Sequence, residues 1–524
     1  GSSKWFNSRH SRSPSRALLS SDLCCACGMH RKRLLTSPAK RKPATDGNLH
    51  HRKRQKLIAG CPVVQPEEAG LSHGPFERFR EIVREEVHDL GTLPGVAHLA
   101  ILDGKCVFAH ADGWSNIEAG SKFGLNTLCA LHSCTKPLVV ASFLTLVDAG
   151  KVRLSDHIDK YVPFSEEVAS SSSKPRTRKV RTRPTLHHLV TQVAGLRHSD
   201  EPAYKPILSQ LKRQKIKDIA GFCEKLAEVS LASEPGSMHY YSWAIDVLGR
   251  VCEVVSGKDL QSFVSESLLQ PLGMVDTSFA PPASKAKRIA TIYDCKRLPA
   301  NKRGKHDSKP YKAHPWHGPK MHPGVFSSGG GVLSYGDAGM YGTAEDYARF
   351  CQMLVNDGLA MDGRRVLRKK TVAMLFQDSL APFAKRDGRV PGWNDYGGDD
   401  PKETFYWDRH AWSMLNATLD LAEPPSGKAA SVAQPRKGNT LWMYGMGAYW
   451  LVDARRRLVV VSMAQCFSSR KEDRGSDCVP FVKQAVDEGA AGARGGPELY
   501  YGKEEWKTWL GHGTHTAAEE ALGS

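Results

Sequence analysis

Leu131-His132-Ser133-Cys134-Thr135-Lys136-Pro137-Leu138-Val139-Val140-Ala141-Ser142-Phe143-Leu144-Thr145-Leu146-Val147-Asp148-Ala149-Gly150 is the stretch on which this chain turns. Leu138, Val139, Phe143, Leu146 and Val147 recur at helical spacing, and Gly150 stands where a helix end favours positive φ. Pro137 is early enough in such a helix to be tolerated. Ser133 and Lys136, three residues apart, then share one face at the helix start. A serine there has an amine beside it for activation and free backbone amides to receive a developing oxyanion. Any helix can carry a serine and a lysine on a solvated face, so the flanking sequence must discriminate.

The chain has 524 residues, 40 % of them apolar, enough for one large domain with a helical subdomain and a tail. It has no run of about 18 apolar residues, so no transmembrane helix is expected. Thirteen cysteines, scattered and odd in number, read as mostly reduced buried thiols. That usage fits an intracellular protein, cytoplasmic, with a nuclear or organellar address as alternatives. The chain begins with Gly1 rather than Met, which suits a fragment.

The net charge of +18 is unevenly placed. Residues 1–57 carry 14 Lys or Arg against Asp22 and Asp46, so a basic tail precedes a modestly basic body. Residues 1–65 lack apolar periodicity and read as disordered. Within them Lys40-Arg41-Lys42 and Arg52-Lys53-Arg54-Gln55-Lys56 fit an import-receptor signal or a weak nucleic-acid contact. The Ser/Arg-rich start also fits a transit peptide, and a solvated linker without a partner serves equally well. Cys24-Cys25-Ala26-Cys27 with His30 lacks a second pair at zinc-site spacing, so no metal is expected there.

Order begins near Phe76. Phe76, Phe79, Ile82, Val83 and Val87 fit an amphipathic helix, and Val96–Leu102 reads as a strand. Asp103-Gly104 is a hairpin signal, with Lys105–His110 as the returning strand. Two polar, basic stretches, residues 170–183 and about 283–322, read as surface insertions. Ser334–Met340 also looks inserted.

With these flanks, Ser133-x-x-Lys136 resembles the serine β-lactamases and penicillin-binding proteins, and specifically their esterase and acyltransferase branch. Lys151–Asp156 and Ile158–Pro163 resemble the segment after the nucleophile helix. Thr185-Leu-His-His-Leu-Val-Thr191 with Gly195-Leu196, and Glu234–Ser242 followed by Ala244–Gly257, resemble later family segments. Leu269–Met274, Ser327–Gly331 and Thr343–Phe350 follow in the family's order. The resemblance implies an α+β fold of β-lactamase/transpeptidase type, an antiparallel sheet flanked by helices with a mostly helical subdomain. It spans about residues 75–488, leaving 489–524 as an appendage.

The resemblance also implies roles. Ser133 is the nucleophile, Lys136 the base that takes its proton once removed from water, and Tyr241 the second base beside it. A phenol needs the lysine close by for this, so the two form one coupled unit. Tyr240 is a rival for Tyr241. His132, Cys134 and His239 flank these positions and read as packing residues. Trp442-Met443-Tyr444-Gly445 resembles the esterase form of the strand that carries Lys-Thr-Gly in β-lactamases. By that match the N–H groups of Ser133 and Gly445 form the oxyanion hole, and Trp442, Met443 and Tyr444 line the substrate. An apolar plate at Trp442 favours neutral esters or thioesters over penicillins. Met443 and Tyr444, standing for two glycines, would narrow the cleft.

The implied activity is a serine hydrolase working through an acyl-enzyme, a carboxylesterase first and a lovastatin-type acyltransferase second. A β-lactamase or D-Ala-D-Ala peptidase comes third. A small-molecule ester or thioester is the expected partner, and no metal or organic cofactor is implied. The contrasting class is a catalytically silent scaffold, its cleft closed by Met443 and Tyr444 and its basic tail binding nucleic acid or another partner.

Overall fold

The computed structural model describes residues 56–89, 93–169, 176–197, 202–213, 215–294, 338–384, 390, 410–421, 438–445 and 447–467. Helix α1 (Gly74–Arg84) leads into strands β1 (Gly95–Leu102) and β2 (Lys105–Asn116). Asp103 (φ 45°) and Gly104 (φ 73°) are both left-handed, the turn geometry that matches the twist of a tight hairpin. Strand β3 (Ser121–Lys122) is short. The other sheet strands come from the far end of the described chain: β4 (His410–Trp412), β5 (Thr418–Leu421), β6 (Gly438–Gly445), β7 (Ala448–Asp453) and β8 (Leu458–Ala464). They form an eight-stranded sheet in the order β4-β5-β6-β7-β8-β1-β2-β3, antiparallel throughout.

Between β3 and β4 the described residues hold most of the helices. In order come α2 (Thr135–Asp148), α3 (Leu186–Val190), α4 (Lys205–Lys212), α5 (Ile219–Ala227), α6 (Ala244–Ser256), α7 (Leu260–Val264), α8 (Gln270–Leu272), α9 (Ala344–Val355) and α10 (Lys369–Leu375). Both faces of the sheet are covered, which is why Leu458-Val-Val-Val-Ser-Met-Ala464 reads as a continuous apolar run. Ala97, Leu99, Ile101, Val459, Val461 and Trp450 join the main core with α2 and α9. The alternate positions Val96, Ala100, Val460 and Leu451 pack with Phe76 and Phe79 of α1. The α+β architecture with an antiparallel sheet and flanking helices is the one that the resemblance implies.

Helix α2 departs from a simple apolar stripe. Every residue from Thr135 to Leu144 is buried, with α6 and α7 packed against the helix. A helix apolar nearly all round belongs inside a fold. Gly150, at φ 70°, follows its end.

Three boundaries differ from the composition-based expectation. Residues 57–65, assigned above to the tail, are part of the fold. Leu57–Ile58 pairs with Cys61–Pro62, the side chains of Ile58 and Cys61 enter the main core, and the Val64 N–H donates to the Cys106 carbonyl at 3.1 Å. Two-residue strands carry no readable periodicity, so composition alone dominated there. Within the 170–183 insertion, Thr177–Lys179 returns as a strand against Glu167–Ala169, and Arg178 pairs with Glu234. Within the 283–322 insertion, residues 283–294 are packed: Tyr293 is buried, and Tyr293–Asp294 lies parallel to Cys466–Phe467. Residues 1–55, 170–175, 295–337 and 489–524 lie outside the described residues, and with them the tail motifs except Lys56, and residues 327–331.

Among the described cysteines, Cys61, Cys106, Cys129, Cys134, Cys223, Cys252 and Cys351 are free and buried, whereas Cys466 is disulfide-bonded. No described helix is long and apolar enough to cross a membrane.

Leu99 is fully buried in the main core, and Leu57 is 59 % exposed. Leu99→Ala should lower unfolding stability by about 2–5 kcal/mol. Leu57→Ala should stay within about 0.5 kcal/mol of wild type. Urea denaturation of the two variants checks the contrast; equal losses would contradict the packing described.

Candidate active site

Ser133 lies in a tight turn, His132–Cys134, immediately before α2. His132 has φ 46° although it is not glycine, a costly conformation that persists only where its surroundings over-determine it. They do so here. The Leu131 N–H donates to the Met340 carbonyl at 2.8 Å, and the Met340 N–H donates to Thr135 Oγ1 at 3.1 Å. Tyr341–Gly342 pairs antiparallel with Cys129–Ala130. On the other side the Tyr347 hydroxyl donates to the Cys134 carbonyl at 2.9 Å, and the Cys134 thiol donates to the Ala448 carbonyl at 3.6 Å. The end of the apparent insertion Ser334–Met340 thus anchors the turn.

Lys136, the second residue of α2, is fully buried. Its Nζ lies 3.4 Å from Ser133 Oγ and 4.4 Å from the centroid of the Tyr241 ring, over the ring face. Ser133, from the turn just before α2, and Tyr241, more than a hundred residues further on, therefore meet at one amine. Of the two adjacent tyrosines it is Tyr241 that meets Lys136, while the Tyr240 hydroxyl donates to Met238 Sδ at 3.6 Å. Tyr241 lies three residues before α6, and Trp243 at the head of that helix is buried against Tyr204 and Phe222, with ring centroids 4.7 and 5.1 Å away.

Strand β6 lies against the Ser133 turn. Its last residue, Gly445, is in register with Ala448 of β7. The turn between them needs glycine at 447, because at φ 98° an added Cβ would sit 2.2 Å from the Ala464 carbonyl oxygen. Trp442 and Tyr444 stand opposite Leu451 and Tyr449. Met443 stands opposite Trp450 and is buried in the main core, so the side chain in place of glycine fills core beneath the strand.

His132, Cys134 and His239 are buried. Burial pushes the Cys134 thiol well up, so it is a poor nucleophile despite its position. The His239 ring meets Trp412 edge-on, with centroids 5.2 Å apart.

Two groups escaped the sequence reading. One is a small apolar cluster of Val193, Leu380, Val390 and Trp412, against which Tyr241 and Phe383 pack. The other is a set of buried polar side chains, Gln192, Ser242 and Asn416, around the backbone of Tyr241. Gln192 sits inside the quoted Thr185–Leu196 segment, and Asn416, at φ 58°, is of a residue type that tolerates a left-handed turn.

A serine, a buried lysine and a tyrosine thus meet within a fold of antiparallel sheet and flanking helices, and sequence comparison gives the family. The chain belongs to the beta-lactamase family, whose profile matches residues 79–477. It is 28 % identical over 392 residues to esterase EstB of Burkholderia gladioli, covering 70 % of this chain and 85 % of that protein. It is 26 % identical over 268 residues to monacolin J acid methylbutanoyltransferase of Aspergillus terreus, covering 49 % and 59 %. The solved structure of EstCE1, a hydrolase with promiscuous acyltransferase activity, superposes with a TM-score of 0.57 at 21 % identity, over 80 % of this chain and 99 % of that one. At that identity the likeness concerns the fold.

Several buried histidines give the protein an acid limit. Burial lowers His98 to about 3, with the His110 charge adding to it; burial lowers His239 to about 3 and His188 to about 4. Each binds its proton in the unfolded chain near 6.5, before the folded one does, so stability is full above about 6.5 and drains as pH falls toward 4 and 3. Asp346, raised by burial to about 6, works oppositely between 3.8 and 6, but it is one group against three. Unfolding free energy from urea titrations should therefore fall between pH 7 and 4.5, and His239→Phe should flatten the fall by about one proton. An unchanged slope would contradict the burial of His239.

Proposed function

We propose that the protein is a serine hydrolase acting through an acyl-enzyme on Ser133, and that its substrates are neutral esters or thioesters. One observation carries the reading: the Lys136 amine is removed from solvent and shared between the Ser133 hydroxyl and the Tyr241 ring. Lys136 takes the proton as Ser133 attacks the acyl carbon, and the N–H groups of Ser133 and Gly445 receive the oxyanion. Tyr241 gives its proton to the leaving oxygen or sulfur and is reprotonated by Lys136, and water then repeats the sequence to release the acid.

The acyl class follows from the surroundings. By the resemblance Trp442 stands for the lysine that β-lactamases present to a carboxylate, and Val193, Leu380, Val390 and Trp412 form an apolar cluster beside Tyr241. Both features favour an uncharged acyl group over a penicillin or a peptide stem. The burial of Met443 in the core weakens the silent-scaffold reading, because that side chain does not plug a cleft. The tail contacts of that reading fall on residues outside the described ones. Transfer to an alcohol instead of water is the second reading, supported by the methylbutanoyltransferase among the relatives.

Hydrolysis of p-nitrophenyl acetate tests the assignment. Ser133→Ala should lose on the order of 10⁴-fold or more in kcat/KM. Tyr241→Phe should lose about 10²–10⁴-fold. Both variants should keep the wild-type unfolding midpoint. Wild-type rates in Ser133→Ala would sink the assignment, and added short alcohols that divert acyl groups from acid to ester would move the protein to the transferase reading.

A further inference from the structure

Gln192, Ser242 and Asn416 come from three distant segments and are 1 %, 4 % and 0 % exposed. The orientation of both amides follows from fixed backbone groups. The Ser242 N–H can only donate, so the carbonyl oxygen of the Gln192 side chain faces it at 3.1 Å and also accepts from the Ser242 hydroxyl at 2.8 Å. The Val190 carbonyl can only accept, so the amide nitrogen of Asn416 faces it at 2.9 Å and donates to the Met414 carbonyl at 3.2 Å. What remains is Gln192 Nε2, which donates to Asn416 Oδ1 at 2.9 Å and, at 3.4 Å, to the Ser242 carbonyl. Turning either amide over would set like groups against each other.

The backbone of Gln192 adds a further hold, since its carbonyl accepts the Tyr240 N–H at 3.0 Å. One residue thus grips the chain on both sides of Tyr241, through its carbonyl before it and its side chain after it. Gln192 (φ 62°) and Asn416 (φ 58°) both stand in the left-handed region, a conformation retained where tertiary contacts outweigh its cost.

We propose that Gln192, braced by Asn416, is a positioning residue that holds Tyr241 at Lys136. It deepens the acyl-enzyme reading and rests on it for its catalytic consequence. Gln192 supports the segment and is not assigned a proton. A fully satisfied buried network of this kind admits one arrangement, so the ring of Tyr241 is preset before substrate arrives.

Two variants separate positioning from mere support of the fold. Gln192→Met keeps the side-chain length and removes both polar ends. Ser242→Ala removes the hydroxyl bond alone and leaves the Ser242 N–H in place. Competent sites are titrated with a fluorophosphonate, p-nitrophenyl acetate kinetics are expressed per titrated site, and the crystal structure of Gln192→Met is solved. Per-site kcat should fall on the order of 10²-fold in Gln192→Met, by less in Ser242→Ala. KM should change little, since the loss is made only in the transition state. The Tyr241 ring should leave the roughly 6 Å reach of Lys136 Nζ. Wild-type per-site kcat with only a lowered unfolding midpoint, or an unmoved Tyr241 ring, would overturn the proposal. A wild type that neither hydrolyses the ester nor takes the label, with Tyr241 displaced in the variant, would instead sink the acyl-enzyme reading and leave the positioning role standing.

Discussion

The burial of Lys136 is the constraint on which the site depends. An amine without solvent contact loses its hydration, and nearby groups must replace what water gave it. Ser133 Oγ at 3.4 Å and the face of Tyr241 at 4.4 Å supply part of that replacement. When the amine carries a proton, a desolvated contact of this kind with an aromatic face contributes about 2 kcal/mol. In the reaction proposed above the same burial gives the amine its chemical use, exchanging its proton with the serine and the tyrosine instead of with bulk water. Had α2 carried a single apolar stripe, Lys136 would have sat on a solvated face.

The remaining architecture holds the partners of that amine in place from opposite sides. The Ser133 turn is fixed by Met340, Tyr347 and Ala448, the Tyr241 segment by Gln192 and Asn416. These residues are separated by up to hundreds of positions in sequence, and the sheet itself joins β8 to the hairpin of β1 and β2. The site therefore exists only once the long-range pairings have formed. Local loosening near Asn416 would reach Tyr241 without touching Ser133.

Local signals account for what was legible in advance. Asp103-Gly104 announced its hairpin because few residue pairs accept two left-handed conformations. The β8 run and the α2 helix announced themselves by apolar pattern, and Ser133, Lys136 and Tyr241, found together through resemblance, do meet in space. Features set by partners far along the chain stayed hidden. Leu57–Gln65 is short and follows a basic tail, and its burial depends on Cys106 and the core. Met443 looked like an obstruction because alternation along β6 does not reveal which face is cleft and which is core. Gln192 and Asn416 look like ordinary polar loop residues until the fold removes them from water.

Intact mass and peptide mapping after reaction with a fluorophosphonate test the central claim most directly. If Lys136 activates Ser133, the protein takes up one adduct, and the modified peptide carries Ser133. An adduct at a different serine, or an unmodified Ser133 peptide in folded protein, would contradict the account.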